Sequence, residues 1–503
     1  MGHFRDAFRR VGPPAALVDS PAVDLERVIA ALAPAPVVGV ARAEIEDLAF
    51  DARQVRPGAL FFCVPGQRAD GHDFAPEAVA KGAVALVVER PLDAPVPQIV
   101  VADARRAMAV AADVFFGSPT RELVVAGVTG TSGKTTTAFL LHAILEAAGL
   151  RPALLGTVES RIGEQRLAAV RTTAEAIDLQ RAFRQMLDAG HGSCAMEATS
   201  HGSELHRLDC VRFSALVFTN LGRDHLDFHG TLERYFEAKR RLFVAGGPPA
   251  AVNVGDEHGR RLADELRELG HASLVTFGWS ADADVRPDEL ELSSSGARLR
   301  VSGLDVRTRL LGRFNVENVL GAVAAARLLE LPDEAIAGGI GAVDGIPGRF
   351  EVVDEGQPFT VVVDYAHKPD ALRNVLMTAR DLTEQRVVCV FGCGGDRDRG
   401  KRPEMGRIAS ELSDVAIVTS DNPRSEDPEA IVAAIVAGAT APVEIEVDRR
   451  TAIARALELA RAGDVVVIAG RGHESEQEVA GRRIPFDDRD VARDALRSLR
   501  ATA

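Results

Sequence analysis

Three clusters in this chain carry residue types that could do chemistry. The first is Gly130-Thr131-Ser132-Gly133-Lys134-Thr135-Thr136-Thr137, which follows the apolar run VVAGV. Glycines let a backbone turn so that its N–H groups face a phosphate. Lys134 would add a positive charge and Thr135 a hydroxyl for Mg²⁺. In the common phosphate-loop spacing the first glycine lies five positions before the second, where this chain has Val128. The second cluster is Glu197, His225 and Lys239. The first two each lie just past an expected strand, a suitable place for a hard cation that takes oxygen ligands and accepts an imidazole. Asp224 and Asp227 flank His225 and could orient it. Taken alone, Lys239 reads as a solvated helix lysine. The third cluster is TSDNPRSEDPEA, residues 419–430. Asn422-Pro423 is at least a rigid turn; whether Arg424 beside it holds a ligand depends on the rest of the chain.

The elements that must position these clusters form a pattern. Strands are expected near Leu60–Val64 and Ala83–Val88, with a helix at Ala75–Lys81 between them. From Leu123 a strand, the glycine loop and an amphipathic helix ending near Gly149 follow one another. Six later apolar runs end in polar or glycine-rich clusters at Glu197, Leu221–His225, Asp364–His367, Gly392–Arg397, Asp421–Arg424 and Gly470–Glu474. A further helix is expected over 316–329. Strands alternating with helices predict parallel sheets, whose ligands lie beyond the strands' carboxyl ends. The expectation is an α/β chain of three domains: a small mixed domain at 1–122, a central phosphate-loop parallel-sheet domain at 123–343, and a Rossmann-like domain at 344–503.

Bulk properties narrow the function class. A chain of 503 residues exceeds one core. A net charge of −14 argues against non-specific nucleic-acid or membrane binding. The five cysteines make no disulfide framework, and Cys389 and Cys393 have no second ligand pair, so core or strand-end roles are expected. The charged start MGHFRDAFRR has no signal-peptide core, and Asp6 stands where a lipidation pattern needs Ser or Thr. A cytoplasmic monomer is the expectation.

The motifs GTSGKTTT, MEATSH, FTNLGRDHLDFHGTLERYFEAKRRLF, GRFNVENVLGA, DYAHKPDAL, FGCGGDRDRGKRPEMG, DNPRSEDP and AGRGHE occur in this order. Together they resemble the Mur ligases, and most closely the members that add diaminopimelate. The likeness runs from about residue 45 to 495 and includes the odd glycine spacing. It implies ATP-dependent amide formation: a carboxylate is phosphorylated to an acyl phosphate, an amine attacks, and phosphate leaves. It also implies UDP-N-acetylmuramoyl-dipeptide, diaminopimelate and ATP as substrates, with Mg²⁺.

Residue by residue, the resemblance implies catalytic roles for Lys134, Glu197, His225 and Lys239, the last as a carbamate. Thr135, Glu197, His225 and carbamylated Lys239 would hold metal. Gly130, Thr131, Ser132, Gly133, Lys134, Thr135, Thr136, Asn315, Asn318, Arg349 and Asp364 would contact ATP. Ala52, Gln67, Arg68, Ala69, Thr172, Thr173, Thr199 and Arg207 would meet the UDP-sugar. Arg397, Asp421, Asn422, Pro423, Arg424, Gly470 and Glu474 would bind the amino acid, with Arg424 gripping a carboxylate and Glu474 receiving the far amine.

The chain departs from the family pattern where the sugar nucleotide binds. Ala52 replaces a serine, Arg171 an asparagine and Leu205 a glutamine. Lys368 for threonine and Arg471 for lysine are milder changes. Two other readings follow from these departures: a paralogue joining a different carboxylate and amine, or a nucleotide-binding protein without ligation. Intact Lys134, Glu197, His225 and Lys239 weigh against the second.

Overall fold

The computed structural model describes residues 22–40, 42–66, 69–167, 171–293 and 295–502. These form two compact units. The first joins the N-terminal segment through Leu123 to residues 173–192 and 201–212; the second takes the rest.

The first unit is built on a five-stranded sheet in the order Val37–Val38, Gln98–Val100, Ala85–Val88, Ala59–Phe62, Asp47–Ala49. All neighbours pair in parallel except the edge strand Val37–Val38. Helices Leu25–Ala31, Ala104–Phe115 and Ala176–Asp188 share one core with one face of the sheet, and Ala75–Ala80 packs on the other. Helix Ala176–Asp188 thus joins a sheet far from it in sequence, which local periodicity cannot reveal.

The second unit holds two larger sheets and two small antiparallel ones. The largest runs in the order Gln165–Leu167, Ser160–Ile162, Pro152–Leu155, Ser193–Glu197, Val124–Thr129, Ala215–Phe218, Ala250–Asn253, Leu274–Phe277. Its six inner and far strands are parallel, and the 160–167 hairpin is antiparallel. Helices Lys134–Ala147 and Arg313–Leu328 bury apolar faces against it. A three-stranded antiparallel sheet, Pro287–Ser293, Gly296–Val301 and Leu304–Thr308, shares that core. Sequence reading missed it, although Gly296–Val301 and Leu304–Thr308 alternate apolar and polar residues as half-buried strands do.

The other large sheet runs Glu351–Val352, Thr360–Asp364, Val465–Ala469, Val387–Phe391, Val415–Val418, Glu444–Ile445. Its inner strands are continuous β-branched runs buried on both faces, as parallel strands under helices require. Cys389 and Cys393 are buried, unpaired core residues. Burial pushes both thiols up to about 12.

One ion pair lies fully inside this second sheet's surroundings. The Arg449 guanidinium donates to both oxygens of Asp488, at 2.8 and 2.7 Å, with both side chains inaccessible to water. Removing one partner would strand a buried charge. Asp488→Ala should therefore destabilise the chain by about 3–5 kcal/mol. A fall in the urea unfolding midpoint checks this, and a midpoint equal to wild type would refute it.

Candidate active site

Most of the candidate residues in the second unit lie just beyond the carboxyl ends of its parallel strands. After strand Val124–Thr129 the chain turns through Gly130 and Gly133, both at positive φ (148° and 83°), into helix Lys134–Ala147. A Cβ on Gly130 would lie 1.8 Å from Thr219 Oγ1, and one on Gly133 would lie 2.3 Å from Asn318 Oδ1. Only glycine fits either place. The loop is braced by Asn220, whose carbonyl accepts the Thr131 N–H and whose side-chain oxygen accepts the Ser132 N–H, both at 2.9 Å. Those two amides are engaged, so a phosphate must rely on the first turn of the helix, whose N–H groups lack intrahelical acceptors.

Lys134 Nζ folds back to the carbonyls of Gly130 and Thr131, each at 3.0 Å. Lys239 is 1% exposed and donates to the same Gly130 carbonyl at 2.8 Å, lying 4.5 Å from the Tyr235 ring centroid. It is no solvated helix lysine. Burial, then the charge of Lys134, hold its amine well below the usual lysine range. Burial and the charge of Lys368 lower Lys134 to about 8, with Glu197 and Asp224 partly restoring it.

Glu197 ends strand Ser193–Glu197 and is 1% exposed. Its carboxylate accepts from Thr135 Oγ1 at 3.0 Å, from the Thr157 N–H at 2.7 Å and from the Thr157 hydroxyl at 3.1 Å. Thr157 escaped the sequence reading, although it follows a strand end as the others do. Arg349 donates to Thr135 Oγ1 at 3.3 Å, and Thr136 is buried behind the loop. His225 adopts a left-handed backbone and its Nε2 lies 2.9 Å from Asp224. The same carboxylate oxygen accepts from Lys368 Nζ at 2.5 Å. Burial opposes the charge on Asp224, but Lys368 and His225 outweigh it and hold the carboxyl below its usual range. Asp227 is exposed. Lys368, seen as a mild change in sequence, is thus a direct partner of the residue that holds His225.

Asn315 and Asn318 lie on helix Arg313–Leu328, with Asn318 Nδ2 donating to Asn315 Oδ1 at 3.0 Å. The Arg349 guanidinium lies 4.4 Å from the Tyr365 ring centroid. Asp364 is buried and accepts the Phe350 N–H at 2.7 Å. Burial raises its carboxyl to about 6, against the pull of Arg349.

A second group gathers at the carboxyl ends of strands Val415–Val418 and Val465–Ala469. Asn422 Nδ2 donates to Glu474 at 2.7 Å, and Tyr365 OH donates to the same carboxylate at 3.2 Å. Burial and the charge of Asp421 raise the Glu474 carboxyl above its usual value. Asp421 is buried and its Oδ2 has no protein hydrogen-bond partner; a Cβ on Gly470 would lie 2.4 Å from it. Arg424, after Pro423, has a positive φ of 51° and donates through NH1 to the Gly395 carbonyl at 2.6 Å. Arg397 is exposed and donates to the Asp396 carbonyl.

Of the residues read as sugar-nucleotide contacts, Gln67 and Arg68 lie outside the described residues. In the first unit Ala52 is buried, with its carbonyl accepting from Lys81, and Ala69 precedes a short helix capped by Asp70. Arg207 donates to the Thr173 carbonyl at 3.1 Å and pairs with Glu175 at 2.8 Å. In the second unit Thr172 and Thr157 exchange a hydrogen bond at 2.9 Å, Thr199 is half-buried and Arg171 is exposed.

A braced phosphate loop, a buried acid at a neighbouring strand end and two desolvated lysines define a nucleotide-phosphate enzyme of the doubly wound α/β class. Comparison with known proteins is more specific. Residues 44–116 match the Mur ligase family catalytic domain, 128–326 the Mur ligase middle domain and 348–472 the Mur ligase glutamate ligase domain. The UDP-N-acetylmuramoyl-L-alanyl-D-glutamate--2,6-diaminopimelate ligase of Solibacter usitatus is 46% identical over 471 residues, covering 91% of this chain and 94% of the relative. The protein of the same name from Geobacillus kaustophilus is 45% identical, covering 90% and 95%. A solved structure of such a ligase superposes with a TM-score of 0.69 at 34% identity, over 95% of this chain and all of that one. This chain belongs to the Mur ligase family.

Asp364 makes a pH prediction. Its folded value of about 6 lies above the ordinary 3.8, so the proton favours the folded state. The linked stability, on the order of 2–3 kcal/mol, is full below about pH 4 and is lost as pH rises through about 6. Asp364→Asn should flatten that part of the profile, read as urea midpoints from about pH 4 to 7. A slope as steep as wild type would refute the assignment.

Proposed function

We propose that this chain joins the carboxylate of UDP-N-acetylmuramoyl-L-alanyl-D-glutamate to an amine of 2,6-diaminopimelate at the expense of ATP, in peptidoglycan precursor synthesis. A free carboxylate is a poor electrophile. Transfer of the γ-phosphoryl group makes an acyl phosphate and releases ADP. The amine lone pair then attacks the acyl carbon, its proton departs, and the carbon–oxygen bond to phosphate breaks.

Two anions must meet in the first step, so positive charge and N–H groups must gather there. Lys134 and the first turn of helix Lys134–Ala147 would hold the phosphates. Asn315, Asn318, Arg349 and Asp364 would orient the base and ribose. The Thr135 hydroxyl and the Glu197 carboxylate, 3.0 Å apart, are hard oxygen donors that suit Mg²⁺. His225 and a carbamate on Lys239 would complete that set. Bound Mg²⁺ would neutralise phosphate charge and polarise the transferring group. Carbamylation needs an unprotonated amine, and the burial of Lys239 favours that form. Ala52, Gln67, Arg68, Ala69, Thr172, Thr173, Thr199 and Arg207 would face the UDP-sugar. The division into 1–122, 123–343 and 344–503 would follow the three substrates. No described helix is long and apolar enough to cross a membrane; a cytoplasmic monomer remains our reading.

The observation that carries the choice of amine is a charge balance. Among the described residues, the guanidinium groups near Asp421, Glu474 and Asp488 are those of Arg449 and Arg471, and Asp421 Oδ2 has no hydrogen-bond partner. That surplus of negative charge suits an ammonium. Arg424, two residues beyond Asn422, would offer its guanidinium to a carboxylate, its NH1 bonded to the Gly395 carbonyl and its Nε 3.7 Å from Glu478; the exposed Arg397 would add a second cation. An amino acid with both groups at its far end answers both.

The test measures phosphate release with the UDP-dipeptide, ATP, Mg²⁺ and either diaminopimelate, lysine, ornithine or no amine. Diaminopimelate should support release, and Arg424→Ala should raise its KM about 100-fold while changing the KM for ATP little. Equal effects on both would remove Arg424 from the amino-acid site. No release with any amine would favour a paralogue with another first substrate, to which the buried, hydroxyl-free Ala52 would point.

A further inference from the structure

We infer that Arg471 is a positioning residue for selection of the added amino acid, acting through the amide of Asn422; the inference rests on the amino-acid site proposed above. Arg471 follows Gly470 at the end of strand Val465–Ala469 and is wholly buried. Its NH1 donates to Asn422 Oδ1 at 2.8 Å. Its NH2 donates to the carbonyls of Glu476 at 2.7 Å and Phe486 at 3.1 Å. The guanidinium lies 5.4 Å from the Phe486 ring centroid, and 3.9 Å separates it from both Glu474 and Asp488.

Asn422 is held between donors on one side and an acceptor on the other. Its amide faces Arg471 and the Glu478 N–H, the latter at 2.9 Å, and both can only donate. Its other end faces the Glu474 carboxylate at 2.7 Å. The oxygen must therefore point toward Arg471 and the NH₂ toward Glu474. Turning the amide over would set oxygen against carboxylate and NH₂ against guanidinium. Arg471 thus fixes which way Asn422 points, and through it where Glu474 stands to receive an amine. A lysine has no planar fork and cannot reach all three of these acceptors with the same geometry. This is why arginine at 471 is more than a conservative replacement.

The test is a double-mutant cycle on the full chain, with KM values for diaminopimelate and ATP from phosphate release. Arg471→Met should raise the KM for diaminopimelate about 10-fold or more and leave the KM for ATP within about twofold. Arg471→Lys should raise it less, about threefold. Combined with Asn422→Ala, neither change should add to the effect of Asn422→Ala alone, because the group they act through is gone. A general loss of structure would instead multiply the two effects and raise both KM values. Additive effects, or an unchanged KM for diaminopimelate in an active variant, would overturn the inference. Where Arg471→Met does not fold, Arg471→Lys carries the same cycle with the same outcomes. Wild-type protein that releases no phosphate with diaminopimelate would overturn the proposed function and this inference with it.

Discussion

Two lysines share one carbonyl oxygen. Lys134 and Lys239 both donate to Gly130, and much of the surrounding structure follows from bringing two amines to one buried oxygen. Like charges repel and burial penalises each, so neither amine keeps its ordinary proton affinity. The Tyr235 ring under Lys239 and the acids Glu197 and Asp224 ease the penalty without cancelling it. Close approach also dictates the loop. Gly130 must lack a side chain because Thr219 stands behind it, and Gly133 because Asn318 does. Asn220 spends its carbonyl and its side chain on holding two loop amides. The result is a preformed loop that carries the Lys134 amine in a chain of net charge −14. Such preorganisation is what phosphoryl transfer between anions requires, since nothing has to reorganise as charge moves.

The second site solves the opposite problem. There, carboxylates outnumber the arginines that face them, and the arginines are spent on internal acceptors rather than on solvent. Arg449 is tied to Asp488 and to the Ala469 carbonyl, while Arg471 is tied to Asn422 and two backbone oxygens. These bonds hold the acids in place but leave a net negative field. On the proposed assignment, one chain would offer lysine amines to phosphates at one strand end and carboxylates to an amine at another.

The sheets were largely legible because parallel strands buried on both faces must be continuous apolar runs. The runs ending at Asp364, Phe391, Val418 and Ala469 all became strands. The strand-end rule also located Glu197, Asp421 and Gly470. Pairings across long sequence separations were not legible. Lys368 and Arg471 read as mild changes because only the fold brings Asp224 to the one and Asn422 to the other. Thr157 and Asn220 follow strand ends as the candidates do, but their contacts with Glu197 and Ser132 appear only once the fold brings those residues together. Residues 173–192 and 201–212 belong with the N-terminal unit because of an apolar helix face, and a helix face does not say which sheet it will cover.

In the proposed reaction the two pockets must also stand at a fixed separation, since the activated carboxyl made at one would meet the amine held at the other. A single run of contacts in the second unit sets it. Thr135 accepts from Arg349, Arg349 stacks on Tyr365, and Tyr365 donates to Glu474. Lys368, three residues beyond Tyr365, ties the same loop to Asp224 on the other sheet. The segment Asp364–Lys368 is therefore gripped from both sides, by the phosphate-loop residues and by the amino-acid residues. Effective concentration in a bimolecular step falls steeply when reacting atoms move by an ångström. A short, stiff segment held by an ion pair, a stacked arginine and a phenolic hydrogen bond is a direct way to keep that distance. It also explains why this segment sits at the carboxyl end of the strand Thr360–Asp364, where backbone position is set by its pairing with Val465–Ala469 rather than by a loop.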